Sequence, residues 1–274
     1  MAFVSTNNQQ LTTNNHMIRA VAFDLWETLI TDTPELSRRQ ERLRLSRMEE
    51  ILTATGFGAA ADRIEHAYRS LWHRCHELYW SGDLDVPCRR QIKHFLEALE
   101  LDPASFDEPA LEQLESAYAR AALDILPAAV PHAVETLAAL KARELRLGLI
   151  SNTGRTPGYV LREVLDRLGL GRSIDVMVFS NEHGACKPQP SIFEELRAGL
   201  GVAYDELMFV GDNLYVDVHG AQQQGMHGVH FVPPVRGTAV APPVEHNLTI
   251  VPDATITDLR DVVRLVEGFV AAAR

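Results

Sequence analysis

The sequence predicts an α/β protein: a mostly parallel sheet flanked by helices, interrupted after its first strand by a long helical insertion. Three observations carry that expectation. Short apolar runs recur at 18–23, 147–150, 176–179, 207–210 and 229–232, as expected of strands buried on both faces. Stretches with helical spacing separate the later runs, and repeated β-loop-α units make their strands parallel. Between the first and second runs, 34–126 is rich in charge and helical spacing and nearly free of strand signals.

The elements follow in order. Residues 1–16, rich in Asn, Gln and Thr, lack the basic start and apolar middle of a signal peptide and read as a disordered tail. The first strand, 18–23, ends at Asp24. The insertion divides into helices at 34–55, 59–80, 89–99 and 108–126. After Pro127, helices at 133–143, 157–168, 191–199 and 216–224 alternate with the remaining strands, and Gly225 stops the last helix. The Pro/Gly-rich stretch 233–243 reads as a loop, 248–251 as a short strand and 256–273 as a terminal helix. The chain thus divides into a discontinuous core, 17–32 plus 127–274, around a helical unit at 33–126.

At 274 residues and about 150 residues per domain, the chain is long enough to bury a large core without disulfides. Its net charge of −11 argues against nucleic acid and acidic membranes as partners, because both need a basic face. Three cysteines without C-x-x-C spacing suggest neither a disulfide framework nor a zinc knuckle, and fit a reducing compartment. No apolar run reaches the roughly 18 residues of a membrane span, so the expected location is cytoplasmic.

In open parallel sheets, ligands bind beyond the carboxyl ends of the strands. There the sequence places Asp24, Ser151 with Asn152, Lys187 in the loop after the third strand, and Asp212 with Asp217 close behind. The chain has three lysines, Lys93, Lys141 and Lys187, so one at this edge is conspicuous. Asp24, Asp212 and Asp217 cannot converge without compensation, since close like charges raise one another's pKa. A hard divalent cation such as Mg2+ resolves the conflict, and Lys187 adds positive charge. Such a site suits a small anionic substrate, with phosphate the first candidate.

These residues resemble the motifs of the haloacid dehalogenase superfamily of hydrolases. Phe23-Asp24-Leu25-Trp26-Glu27-Thr28-Leu29 looks like the first motif and Leu149-Ile150-Ser151-Asn152 the second. Lys187-Pro188 with Ile192-Phe193 resembles the third, and Gly211-Asp212 with Asp217 the fourth. The resemblance covers nearly the whole chain after the tail. It implies a Rossmann-like core with a helical cap inserted after the first motif. Asp24 matches the nucleophile, Lys187 the lysine bridging nucleophile and phosphoryl group, and Thr28 and Ser151 the hydroxyls that hold substrate oxygens, with Asn152 beside them. Asp24, the Trp26 carbonyl and Asp212 match the Mg2+ ligands, and Asp217 a second acidic position near the metal. The implied activity is Mg2+-dependent hydrolysis of a small phosphomonoester through an aspartyl-phosphate.

One departure matters. Phosphatases of the superfamily carry a second Asp two residues after the nucleophile, where this chain has Trp26; positioned acid–base groups contribute about 10²–10⁴-fold, so turnover is expected to be slow. The dehalogenase branch also lacks that Asp, which keeps a metal-independent 2-haloacid dehalogenase, with Asp24 attacking carbon, as an alternative. That branch replaces the first acid of the fourth motif, whereas Asp212 is retained here. A third alternative is a binding or regulatory member that lost turnover with Trp26.

Other side chains have plainer readings. Glu27 could stand in for the missing acid, but a solvated loop carboxylate is the expectation. Arg38 and Arg39 read as helix-surface charge, the stretch His73-Arg74-Cys75-His76 as a partly exposed helix face, and His227 and His230 as structural. Trp72, Tyr79 and Trp80 either pack within the helical insertion or line its substrate side. Cys186 reads as a small buried filler.

Overall fold

The computed structural model describes residues 17–234, 237 and 248–272. Its strands are β1 (Ala20–Phe23), β2 (Ile30–Thr31), β3 (Ala128–Ala129), β4 (Arg146–Ser151), β5 (Val176–Phe179), β6 (Leu207–Gly211), β7 (His227–Phe231) and β8 (Ala254–Ile256). Six of them form one sheet in the order β5-β4-β1-β6-β7-β8, and every pairing in it is parallel. The expected α/β, Rossmann-like core is therefore present.

Helices flank the sheet on both faces. They are α1 (Pro34–Ala54), α2 (Ala61–Leu78), α3 (Cys88–Ala98), α4 (Glu108–Ala119), α5 (Ala121–Asp124), α6 (Ala133–Lys141), α7 (Gly158–Arg167), α8 (Ser180–His183), α9 (Pro190–Leu200), α10 (Gly220–Gln223) and α11 (Asp261–Ala272). The two-residue period of a strand sorts β1 between two cores. Ala20 and Ala22 pack with Ile192, Phe193 and Leu196 of α9 on one face. Val21 and Phe23 join the larger core on the other, with Leu137 and Leu140 of α6 and Val262 of α11. Because all four β1 residues are fully buried, the polar Asp24 marks the point where the chain leaves the sheet.

Between β2 and β3 the chain makes the helical segment. β2 pairs antiparallel with β3, Ile30 opposite Ala129, so outgoing and returning chain cross side by side. Thr33 caps α1, its hydroxyl accepting from the Leu36 amide at 3.2 Å, and Pro34 occupies the first turn, where no N–H is needed. The buried face of α1 carries Gln40, Arg44, Met48 and Leu52, a four-residue spacing that keeps them on one side. No helix among the described residues is long and apolar enough to cross a membrane.

Several sequence expectations need correction. The helix expected over 108–126 breaks at Arg120; at the break Arg44 Nε donates to the Tyr118 carbonyl at 2.8 Å, an acceptor that a continuous helix would use itself. The helix expected at 216–224 begins earlier, as a wide π turn at Leu214–His219 leading into α10, because the Asn213 side chain accepts from the Tyr215 and Val216 amides at 2.9 and 3.2 Å. The strand expected at 248–251 is absent. The pairing segment is β8, and Asp253 sets its place: its amide donates to the Gly228 carbonyl at 2.9 Å and its carboxylate accepts from the Gly228 amide at 2.7 Å. Ile256 consequently belongs to β8, and the terminal helix starts at Asp261 rather than 256. The tail expected at 1–16 and most of the loop expected at 233–243 lie outside the described residues.

Candidate active site

The site begins at the carboxyl end of β1. Phe23 lies opposite Leu149 of β4 and Val210 of β6, so Asp24 emerges between the ends of its two neighbours. Its amide donates to the Val210 carbonyl at 2.9 Å. From β4 come Ser151 and Asn152; from the far end of β6 comes Asp212. Parallel pairing thus gathers residues far apart in the chain at one edge.

Lys187 reaches into this edge from the loop before α9. Its Nζ donates to Asp24 Oδ1 at 2.6 Å and to the Ile150 carbonyl at 3.1 Å, and forms an ion pair with Asp217 Oδ1 at 2.7 Å. The side chain is 1% exposed, and the ammonium lies 5.3 Å from the centroid of the Phe209 ring, a face that favours a cation. Burial pulls the lysine pKa down, but Asp217 and Asp24 outweigh that and hold it above its ordinary value. Lys187 is a fixed positive charge. Burial pushes the Asp24 carboxyl up to about 6, with Lys187 opposing the rise and Asp217 adding to it.

Two carboxylates against one ammonium leave excess negative charge, and a third carboxylate joins them. Oxygens of Asp24, Asp212 and Asp217 lie within 4.8 Å of one another. Asp217 is turned toward the strand end by the Asn213 amide, which donates to its Oδ2 at 3.0 Å. His230, on β7, donates from Nε2 to the Asp212 carbonyl at 3.1 Å.

Among the described residues, three buried hydroxyls make no hydrogen bond: Thr136 on α6, and Thr28 and Ser151 at this edge. A buried polar group left unsatisfied costs about 1–3 kcal/mol, and Thr28 and Ser151 carry that cost in the segments that follow β1 and end β4. Asn152, expected beside them at the substrate, pairs with the lysine loop. Its Oδ1 accepts from the Lys187 amide at 2.8 Å and its Nδ2 donates to the Lys187 carbonyl at 3.1 Å, which fixes the lysine loop to β4.

Glu27 departs from its expectation. It is 2% exposed, not solvated, and its carboxylate accepts from Thr31 Oγ1 at 3.1 Å and from the Gly237 amide at 2.6 Å. Both contacts hold the turn after β1, where Glu27 itself has φ of 62°. Trp26 is half-buried against the larger core. Its bridge with Ile30 is built from the Leu25 carbonyl and the Glu27 amide, and leaves the Trp26 carbonyl outside that pairing.

Sequence reasoning passed over Asp85, which ties the helical segment to the sheet. Its carboxylate accepts from Trp80 Nε1 at 2.9 Å, the Val86 amide at 2.8 Å, Thr153 Oγ1 at 3.1 Å and Ser180 Oγ at 2.5 Å. Nearby, Leu84 bridges Ala185, two residues before Lys187. Nothing in the local pattern around Asp85 marks it as more than a loop acid. Cys186 is buried as expected, its Sγ 3.5 Å from the Leu84 carbonyl. Arg38 and Arg39 remain on the exposed side of α1, Arg38 paired with Glu35, and His73, Arg74 and His76 are exposed on α2.

A buried acid–lysine pair joined by further carboxylates, where parallel strands end, defines an α/β enzyme built to handle negative charge. The chain belongs to the haloacid dehalogenase-like hydrolases: the model of that family matches residues 18–225. A phosphoserine phosphatase of Thermus thermophilus is 30% identical over 265 residues, covering 89% of this chain and 98% of the relative. A glyceraldehyde 3-phosphate phosphatase of Methanopyrus kandleri is 30% identical over 220 residues, covering 77% and 82%. Among solved structures, a 2-haloacid dehalogenase from Pseudomonas syringae superposes with a TM-score of 0.66 at 23% identity, covering 94% of this chain and all of that one.

Proposed function

We propose that this hydrolase releases phosphate from a small phosphomonoester, through an aspartyl-phosphate on Asp24 and with Mg2+ as its metal. One observation carries the reading: three carboxylates meet within 4.8 Å while Lys187 sits on two of them. A carbon-directed displacement needs one nucleophilic carboxylate, not three. Phosphatase-named relatives that align over most of their length support the same choice.

The donor set fits a hard divalent cation, which prefers oxygen ligands. Asp24, Asp212 and the Trp26 carbonyl would hold it, with Asp217 alongside. When bound, such an ion neutralises charge on the phosphoryl oxygens. The chain's own residues do the rest. Asp24 attacks phosphorus, the ester P–O bond breaks and the alkoxide departs. Water then attacks phosphorus, the P–O bond to Asp24 breaks, and the proton that water gives up balances the one the alkoxide takes from solvent, leaving alcohol, phosphate and free Asp24. The hydroxyls of Thr28 and Ser151 donate to phosphoryl oxygens, Lys187 stays protonated against nucleophile and phosphoryl group, and Asn152 keeps the lysine in place. Positioning and charge neutralisation are most of what phosphoryl transfer requires. Residues 33–126 act as a cap over the 17–32 and 127–274 core. Free, buried cysteines fit a reducing cytoplasm, and the acidic chain has neither nucleic acid nor membrane as partner.

Trp26 favours a second reading, 2-haloacid dehalogenation, because it removes the usual acid–base carboxylate. A panel of phosphomonoesters and 2-haloacids, assayed with and without Mg2+, separates the two. Mg2+-dependent phosphate release that disappears in Asp24→Asn is expected; halide release without metal would replace the phosphatase reading. Silence toward both classes would leave a binding member of the family.

A further inference from the structure

We propose that Arg155 determines specificity: its guanidinium takes a carboxylate carried by the phosphorylated substrate. The proposal rests on the phosphatase reading and names the substrate's second group.

Arg155 lies in the loop 152–157 between β4 and α7, four residues after Ser151. Its neighbours are pinned. The Thr153 amide donates to Ser180 Oγ at 2.9 Å, the Gly154 carbonyl accepts from Gln91 Nε2 at 3.0 Å, and Thr156 Oγ1 meets Arg44 Nη2 at 3.3 Å. Arg155 itself has neither a hydrogen bond nor an ion pair among the described residues, and its Nε is buried without a partner. Several other arginines have carboxylate partners: Arg69 with Glu41 and Glu65, Arg120 with Glu163, Arg162 with Glu182.

Its surroundings hold it ready instead. The guanidinium carbon lies 4.8 Å from the Tyr68 ring centroid and 5.0 Å from that of Trp72, both on α2. Trp72 packs on Trp80 at 4.6 Å, and Trp80 is tethered to Asp85. Aromatic faces attract a guanidinium but accept none of its in-plane N–H bonds. The charge of Glu41 acts on it from α1 without forming an ion pair, and what remains is a planar fork matched to a carboxylate. A second phosphate, with two charges against one guanidinium, fits less well than a single planar anion. Four residues of chain span at most about 14 Å between Cα atoms, so Ser151 and Arg155 leave the same end of β4.

The test compares phosphoglycolate with 2-hydroxyethyl phosphate, ethylene glycol bisphosphate and p-nitrophenyl phosphate, using the full chain with Mg2+. Wild type should prefer phosphoglycolate over 2-hydroxyethyl phosphate by at least about tenfold in kcat/KM, the scale expected when a built hydrogen-bonding site loses its partner. Arg155→Gln should erase that preference mainly through KM. Arg155→Lys keeps charge and stem, guards against a folding defect in the Gln variant, and should restore only part of the preference. If both variants weaken all four esters alike, Arg155 is a packing clamp and the proposal falls. A preference for the bisphosphate overturns the carboxylate assignment. If no ester releases phosphate, the phosphatase reading and this proposal fall together, an outcome distinct from nitrophenyl phosphate turnover without carboxylate preference.

Discussion

Asp217 folds back so closely on Gly211 that a Cβ at Gly211 would lie 2.4 Å from the Asp217 carboxyl carbon. The last residue of β6 is a glycine because the acid that pairs with Lys187 occupies the space a side chain would fill. Gly211→Ala should therefore displace Asp217, lowering kcat by at least about tenfold and stability by about 1–3 kcal/mol, as overpacking does. Steady-state kinetics and denaturant unfolding check both; an alanine variant with wild-type kcat would show that Asp217 has no part in the site.

Asp212 contributes the carboxylate nearest the end of β6. Asp212→Ala should weaken Mg2+ binding by about tenfold or more, since a hard cation with few protein ligands loses a charged one. Calorimetric titration of metal into wild type and variant measures this directly. Equal affinity would put the metal elsewhere.

Asp32 makes the protein less stable as pH rises. Burial pushes its carboxyl up to about 6, against Arg44 and the Gln40 hydrogen bond and with Glu27 adding to the rise. A folded pKa above the unfolded one means that the folded state holds the proton more tightly. Stability therefore falls from about pH 4 to 6, and the penalty is complete above that window. Asp32→Asn keeps an acceptor for Gln40, which donates at 3.1 Å, and removes the charge. It should raise Tm at pH 7.5 by about 2–4 °C and flatten the dependence between pH 4 and 7. Thermal melts across that range suffice, and a lower Tm at pH 7.5 would refute the assignment.

Trp26 predicts how rate depends on the leaving group. With no carboxylic acid there, and with Glu27 engaged by Thr31 and Gly237, an alkoxide departs without a proton from either residue. Aryl phosphates should be turned over about 10²-fold or more faster than alkyl phosphates, the weight of a positioned acid. Trp26→Asp should flatten the plot of rate against leaving-group pKa. Equal rates for alkyl and aryl esters in wild type would show that another group delivers the proton.

The sequence by itself determined the sheet and the residues at its edge. Strands buried on both faces must be apolar runs, so Asp24, Ser151 and Asp212 stand out where those runs end, and Lys187 stands out among three lysines. Parallel pairing then leaves little choice about where they meet. Tertiary structure alone decided which of them touch and what their neighbours do. Glu27 and Asp85 are buried because other segments fold over them, and no local pattern separates a covered carboxylate from a solvated one. Arg44 takes the Tyr118 carbonyl from another helix, breaking α4 from α5 without the proline or glycine that would announce a break. At the sheet edge, Asp253 gives β8 its register with β7, while the more apolar 248–251 stays out of the ladder. Arg155 likewise becomes a cation between two rings only when α2 packs on the loop after β4. Periodicity records what each segment buries, but the partner that completes a polar group comes from distant chain, and only folding brings it there.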